Sequence, residues 1–153
     1  MTEKADLVAY CGLYCGDCHG HTGKVADLAR DLRKELRQSR YDKFAAFLSH
    51  YPFAQAFTHY AECYEVLCQM VKFRCRVGCR GGGGSPFCKI RKCCQKRGLN
   101  GCWECVEFKA CGELDFLSPV HGDAHLRNLR AIKKKGVEEF VQGKRHWYSE
   151  ANK

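Results

Sequence analysis

The feature that most constrains the fold of this chain is its cysteine content, thirteen in 153 residues. Most of these cysteines occur in closely spaced sets: CGLYCGDC at 11–18, CRVGC at 75–79, CKIRKC at 88–93 and CWEC at 102–105. A tetrahedral zinc site is readily built from two short turns that each present two thiolates. The segment 75–111 is thin in apolar residues and interrupted by glycine, so we expect metal ligation rather than burial to fold it.

A metal framework is favoured over a disulfide framework. The first ten residues, MTEKADLVAY, are charged and have no apolar run long enough for a secretory signal, so we predict a cytoplasmic location. Disulfides are rare in that compartment, and an odd number of cysteines leaves at least one thiol without an internal partner. The sequence also has no apolar run near the roughly 18 residues that a membrane span needs, so we expect no membrane association.

The segment 24–74 has the periodicity of helices. Apolar residues at Val25, Leu28, Ala29, Leu32 and Leu36 predict an amphipathic helix. A second helix is predicted from Tyr41 to Leu48, ended by Pro52, and a third around Ala61 to Val71. After Pro119 helical periodicity returns, with seven candidate core positions: Leu126, Leu129, Ile132, Val137, Phe140, Val141 and Trp147.

These patterns predict a mainly α fold, a small helical domain with an irregular Cys-rich metal-knuckle segment. We expect a single domain over residues 1–153. Its parts are an N-terminal Cys motif at 1–23, a helical stretch at 24–74, the metal-binding segment at 75–111 and C-terminal helices at 119–148.

Three cysteines stand apart from the paired sets. Cys63 and Cys68 lie in a helical stretch, where cysteine behaves as a small core residue. Cys94 neighbours Cys93, and adjacent cysteines rarely serve one metal equally, so Cys93 is the expected ligand and Cys94 the spare thiol.

The quoted motifs, together with KRGLNGCWEC and HGDAHLRNLRAIKKKGVEEF, resemble the Cys-rich family called domain of unknown function 3795. The resemblance runs from Ala9 to about Trp147. It implies a metal-binding protein, usually with zinc, and no assigned activity. Carried over to this chain, the family pattern implies ten metal ligands: Cys11, Cys15, Cys18, Cys75, Cys79, Cys88, Cys93, Cys102, Cys105 and Cys111.

Ten thiols exceed the eight that two all-cysteine zinc sites use. Two thiols are then not ligands, or a third site shares a histidine, or a thiolate bridges two metals. Zn²⁺ is the expected cofactor, and a [4Fe–4S] cluster is the alternative because it also takes four thiolates. A barrel of the kind used by radical enzymes needs about 250 residues, so the C-x3-C-x2-C spacing at 11–18 does not predict that chemistry here.

Histidines are further candidate ligands. His19 and His21 follow Cys18 directly, and three cysteines with one histidine are a common zinc set. His121 and His125 are four residues apart and would share one face of a helix, with Asp123 as the expected helix cap. A capping or solvent-facing role is favoured over a metal role for His19 and His21. For His121 and His125 the spacing could clamp a metal or bind a small anion, but this functional role is not favoured.

The function expected from these residues is binding of structural metal. The formal net charge of +9, lowered to about +5 by two four-thiolate zinc sites, hints at nucleic acid or an acidic protein as partner. Phe73, Phe87, Trp103 and Phe108 could stack on bases, although a role in covering the metals is favoured. Thiol redox chemistry, metal handling and metal-dependent catalysis remain alternatives; closed cysteine sets argue against catalysis.

Overall fold

The protein is built almost entirely from helices, as predicted. The structure is a computed structural model that describes residues 4–149. Its α-helices are α1 (His19–Thr22), α2 (Lys24–Gln38), α3 (Tyr41–Leu48), α4 (Tyr60–Lys72), α5 (Lys89–Lys96), α6 (Ser118–His121), α7 (Ala124–Lys135) and α8 (Val137–Gln142). Short 3₁₀ helices cover Ala5–Leu7, Cys15–Asp17, Pro52–His59, Cys102–Glu104, Phe108–Ala110 and Gly112–Leu117. Within this range β pairing is limited to one antiparallel bridge, between Val8 and Tyr14.

The described residues divide into two units. Residues 4–22 and 75–149 form one, which we call the cysteine-rich unit, and Gly23–Arg74 form the other, the helical unit. The expectation of a single domain over 1–153 stays a prediction. No helix within residues 4–149 has both the length and the apolar character needed to cross a membrane.

The helical unit consists of the three α-helices that the sequence predicts there. Its two ends are tied together by Arg74, which donates a hydrogen bond to the Gly23 carbonyl oxygen at 2.9 Å. The same guanidinium contacts the Asp27 carboxylate at 2.6 Å, and this hydrogen bond lowers the pKa of Asp27. Gly23 adopts a φ of 74°, and a side chain there would collide with Arg74.

The predicted apolar face of α2 is not a buried core. Leu28 is 60% exposed, and Val25 and Leu32 are also exposed. The buried residues of this helix are Ala26 and Ala29. Of the predicted apolar face, Ala29 is therefore buried, whereas the three larger residues named above are exposed.

The core lies in the cysteine-rich unit, and the C-terminal helices supply much of it. Four of the predicted core positions, Leu129, Ile132, Phe140 and Val141, are buried there. The other three predicted positions, Leu126, Val137 and Trp147, are partly buried against the same cluster. Phe108 and Leu114 pack into it from the middle of the chain.

One element of the segment 75–111 differs from the predicted irregular structure. Helix α5 lies inside it and buries Ile90 and Cys94, four residues apart on one face. Trp103 and Phe108 join the same core cluster. Burial therefore contributes to folding this segment, contrary to the expectation that ligation alone would do so, because its few apolar residues are spaced to reach one core.

Candidate metal centre

Two of the sequence motifs meet in the cysteine-rich unit, although they are far apart along the chain. The amide of Cys79 donates a hydrogen bond to the Cys15 sulfur at 3.4 Å, across 64 residues of sequence. Cys15 also interacts electrostatically with Cys18 and Cys75. We call Cys15, Cys18, Cys75 and Cys79 the first thiol cluster.

Short hydrogen-bonded turns position these thiols. A 3₁₀ turn in which the Cys18 amide donates to the Cys15 carbonyl at 3.0 Å joins the first pair. The Cys75 amide donates to the Gly20 carbonyl at 2.9 Å, which holds the second pair beside the first. Gly78, between Cys75 and Cys79, has a φ of +65°, as its place in the CRVGC turn predicts.

A buried arginine closes the loop that follows the second pair. Arg91, on α5, donates to the carbonyl oxygens of Gly83 at 2.7 Å, Ser85 at 2.8 Å and Cys79 at 3.3 Å. The guanidinium fork thus satisfies three carbonyls of the glycine-rich loop at once. Nothing in the sequence pattern marks Arg91 as a buried residue.

Burial suppresses thiolate formation at the centre of the first thiol cluster. Desolvation raises the pKa of Cys15 to about 11, and repulsion from Cys79, Cys18 and Cys75 acts in the same direction. The hydrogen bond from the Cys79 amide acts against this rise. A cation among these sulfurs would favour the thiolate form that metal ligation requires.

Cys11 lies between the first thiol cluster and a second group of thiols. Burial raises its pKa to about 12, and it interacts with Cys79, Cys88 and Cys15. It also interacts with Cys102, whose sulfur is 3.7 Å from that of Cys94. Cys111 is near Cys102 as well. The second thiol group is therefore Cys11, Cys94, Cys102 and Cys111.

The adjacent cysteines Cys93 and Cys94 have different surroundings. Cys94 is buried against Cys102, while Cys93 is exposed. Arg97 donates to the Cys105 sulfur at 3.4 Å and also interacts with Cys93. Cys94, expected to be the spare thiol, is thus the neighbour of a predicted ligand; Cys93 as a ligand stays a prediction.

Ligating geometry itself is not present in the structure. Among residues 4–149, no three His, Cys, Asp or Glu side chains are arranged to hold a metal ion. The donor chemistry does suit zinc, because each thiol group contains at least four sulfurs and the first combines two chelating pairs. The ten predicted ligands all belong to the cysteine-rich unit.

The cysteines outside the predicted ligand set are spread over both units. In the helical unit Cys63 is exposed, so its expected core role is wrong, and Cys68 is half-buried. Position Cys63 on α4 faces solvent because the buried residues of this unit are mainly alanines of other elements.

The histidines divide between partnered and unpartnered rings. His19 is 3.0 Å from the Tyr148 hydroxyl, and His121 Nδ1 is 2.7 Å from the Trp147 carbonyl oxygen. His125 is 1% exposed, and neither of its ring nitrogens has a hydrogen-bond partner among the described residues. His21 Nδ1 is likewise buried without a partner in that part of the chain. Asp123 occupies the N-cap position of α7, as expected, but its side chain makes no cap hydrogen bond.

The aromatic residues near the cysteines are of two kinds. Trp103 and Phe108 are buried in the core, and their expected role in covering metals stays a prediction. Phe87 is 78% exposed with Lys92 Nζ 5.8 Å from its ring centre, and Phe73 is exposed as well. Stacking on nucleic acid is available only to the second kind and stays a prediction.

The family described as Protein of unknown function (DUF3795) matches residues 7–116. The chain belongs to this family. The matched range contains every cysteine of the DUF3795 pattern and ends before HGDAHLRNLRAIKKKGVEEF, so the predicted resemblance of that last motif lies outside it. No curated protein and no solved structure matches the chain. The DUF3795 assignment names no ligand and no reaction.

Proposed function

We propose that the protein binds structural zinc through the first thiol cluster. The single observation that carries this proposal is the hydrogen bond from the Cys79 amide to the Cys15 sulfur at 3.4 Å. It joins CGLYCGDC to CRVGC, so that two chelating pairs from distant parts of the sequence face each other. Amide donors to sulfur are common where a thiolate carries negative charge, because they favour the charged form.

A metal at this place would act as a cross-link within the cysteine-rich unit. The Cys15 and Cys18 side chains hold one side, and the Cys75 and Cys79 side chains hold the other. Bound zinc supplies positive charge and four fixed bond directions. Arg91 keeps the carbonyl of Cys79 and the following loop in place, so the second pair is positioned before any ligand arrives.

The second thiol group supports a second metal in the same way. Its members come from four places in the chain, and Cys94 and Cys102 already share close sulfur contact at 3.7 Å. In this group Cys94 replaces Cys93 as the thiol nearest to the predicted ligand Cys102. The expected metal content is therefore two zinc ions per chain, one for each group.

The test is elemental analysis with an absorption spectrum on the full chain purified without oxygen. We expect about two zincs per chain, a colourless solution, and loss of one equivalent in Cys15→Ser. Cys63→Ser is the matched control, since Cys63 is an exposed thiol of the helical unit and its replacement should leave the metal content unchanged.

Two results would contradict the proposal. Full metal content and stability in Cys15→Ser would show that the first thiol cluster is not a site. Iron with a brown charge-transfer band would replace structural zinc by an iron–sulfur cluster, and electron transfer would become the function to pursue.

A further inference from the structure

The ring of His21 is a polar group near the first thiol cluster that the proposed function does not use. Its Nδ1 atom is buried and has no hydrogen-bond partner within residues 4–149. A buried polar atom left unpaired costs about 1–3 kcal/mol, and native structures contain few of them. An atom that pairs with this nitrogen would remove that cost.

Two distances locate the ring. A Cβ atom placed on Gly78 would lie 3.8 Å from the Cys15 sulfur and 3.9 Å from Cε1 of His21. Both atoms therefore border the space that a side chain at residue 78 would fill, and the unpaired Nδ1 is covalently bonded to the second of them. Gly78 leaves the space between them open because it has no side chain.

The backbone holds His21 in this position. His21 belongs to α1, which begins directly after Cys18. The preceding residue, Gly20, accepts the hydrogen bond from the Cys75 amide at 2.9 Å. His21 is therefore next to the residue at which the two chelating pairs are joined, and it follows Cys18 by three residues.

Charge favours a mixed set of ligands at a buried site. Zinc with four thiolates carries a net charge of −2, whereas zinc with three thiolates and one neutral imidazole carries −1. Burying the smaller charge costs less, and Cys15 is a buried residue. Three cysteines with one histidine are a common zinc set.

We infer that Nδ1 of His21 is a ligand of the metal ion bound by the first thiol cluster, together with three of its four thiolates. The inference rests on the proposed function, since it concerns the same metal. It keeps Cys15 as a ligand, leaves one of Cys18, Cys75 and Cys79 outside the ligand set, and assigns the proton of the imidazole ring to Nε2.

The experiment compares His21→Gln with His19→Gln in the full chain. His19 lies two positions away and pairs with Tyr148 instead, which makes it a matched control. We expect His21→Gln to weaken zinc binding at one site at least about tenfold, as loss of even an indirect supporting group does. Cobalt substituted for zinc should show altered d–d bands in His21→Gln and unchanged bands in His19→Gln.

Three further measurements do not depend on the stability of His21→Gln. His21→Cys should retain the metal and shift the cobalt bands to longer wavelength, because sulfur replaces nitrogen. Nitrogen-15 NMR of the zinc-loaded wild-type protein should show His21 protonated on Nε2 with Nδ1 bound. Thiol titration of the zinc-loaded protein should find one more reactive thiol than an all-cysteine site leaves.

The outcomes separate the two proposals. A wild-type chain that binds no metal refutes the proposed function and this inference with it. Metal binding with the same affinity and cobalt spectrum in His21→Gln and His19→Gln refutes the inference alone, as does an Nδ1–H tautomer in the zinc-loaded wild type.

Discussion

The two units of this protein obtain their order from different sources. In the helical unit the buried positions are mainly alanines, such as Ala26 and Ala29, and large apolar residues such as Leu28 are exposed. In the cysteine-rich unit a cluster of large side chains is buried together with polar groups such as Arg91 and Asn128. Periodic helices are sufficient for the first kind of unit, whereas the second depends on specific contacts between distant segments.

The largest difference in unfolding free energy between the two units should appear when one leucine in each unit is replaced by alanine. Leu129→Ala removes a fully buried side chain of the cysteine-rich unit and should cost about 2–5 kcal/mol of unfolding free energy. Leu28→Ala removes a largely exposed one and should cost less than about 0.5 kcal/mol. Denaturant unfolding followed by tryptophan fluorescence and by circular dichroism measures both, since Trp103 and Trp147 both lie in the cysteine-rich unit. Equal losses would contradict the comparison.

Close packing of the N-terminal motif can be tested at a glycine. Gly12 has a φ of +84°, and a Cβ there would lie 2.8 Å from Leu129 Cγ. Gly12→Ala should therefore cost roughly 2–4 kcal/mol, from backbone strain and overpacking together. Gly136→Ala has the same φ but open space around it, so it should cost only the strain. Thermal unfolding of the two variants separates the contributions; equal shifts would show that packing against Leu129 is unimportant.

The next largest difference in unfolding free energy should come from replacing one arginine in each unit. Arg91→Gln leaves three loop carbonyls without their donor and should cost roughly 1–3 kcal/mol. Arg30, on α2, contacts only exposed carboxylates, and Arg30→Gln should not change stability measurably. Unfolding in urea checks this pair, followed by tryptophan fluorescence for Arg91→Gln and by circular dichroism for Arg30→Gln. Unchanged stability in Arg91→Gln would show that the Arg91 hydrogen bonds do not stabilise the cysteine-rich unit.

The smallest expected effect is a pH dependence confined to the cysteine-rich unit. Burial, aided by repulsion from His121 and opposed by Asp123 and Asp115, holds the pKa of His125 below its ordinary value of 6.5. The unfolded chain therefore protonates His125 more readily than the folded chain does. The free energy of unfolding falls as the pH drops below about 6.5.

His125 contributes less than about 1.4 kcal/mol per pH unit to the dependence of the unfolding free energy on pH. Unfolding measured between pH 7.5 and about 5.5 should show this slope in the wild type and in His59→Gln, where an exposed histidine of the helical unit is replaced. It should be smaller in His125→Gln. An unchanged slope in that variant would show that His125 is not the group responsible.

The sequence predicts the helices better than it predicts the site. Helices α2, α3, α4 and α7 follow from apolar periodicity, which is a local property of the chain. Helix α5 could not be recognised because its eight residues, KIRKCCQK, contain only one strongly apolar side chain, Ile90. The exposure of Leu28 could not be predicted either, since it depends on how closely neighbouring helices approach.

Within the site, the turn at Gly78 was predictable because few residues other than glycine adopt its conformation. The grouping of the cysteines was not, since spacing shows which thiols form a chelating pair but not which pairs meet. The contrast between Cys93 and Cys94 illustrates this: one residue of difference on α5 turns one thiol outward and the other toward Cys102.

The separation of 64 residues between Cys15 and Cys79 also has a consequence during translation. At about 5–20 residues per second, the ribosome adds Cys79 roughly 3–13 s after Cys15. The whole helical unit is synthesised in that interval, so it can fold while CGLYCGDC still lacks its partner pair. The metal proposed above could therefore be bound by both pairs only after Cys79 has been synthesised, and until then the thiols of CGLYCGDC would have to stay reduced.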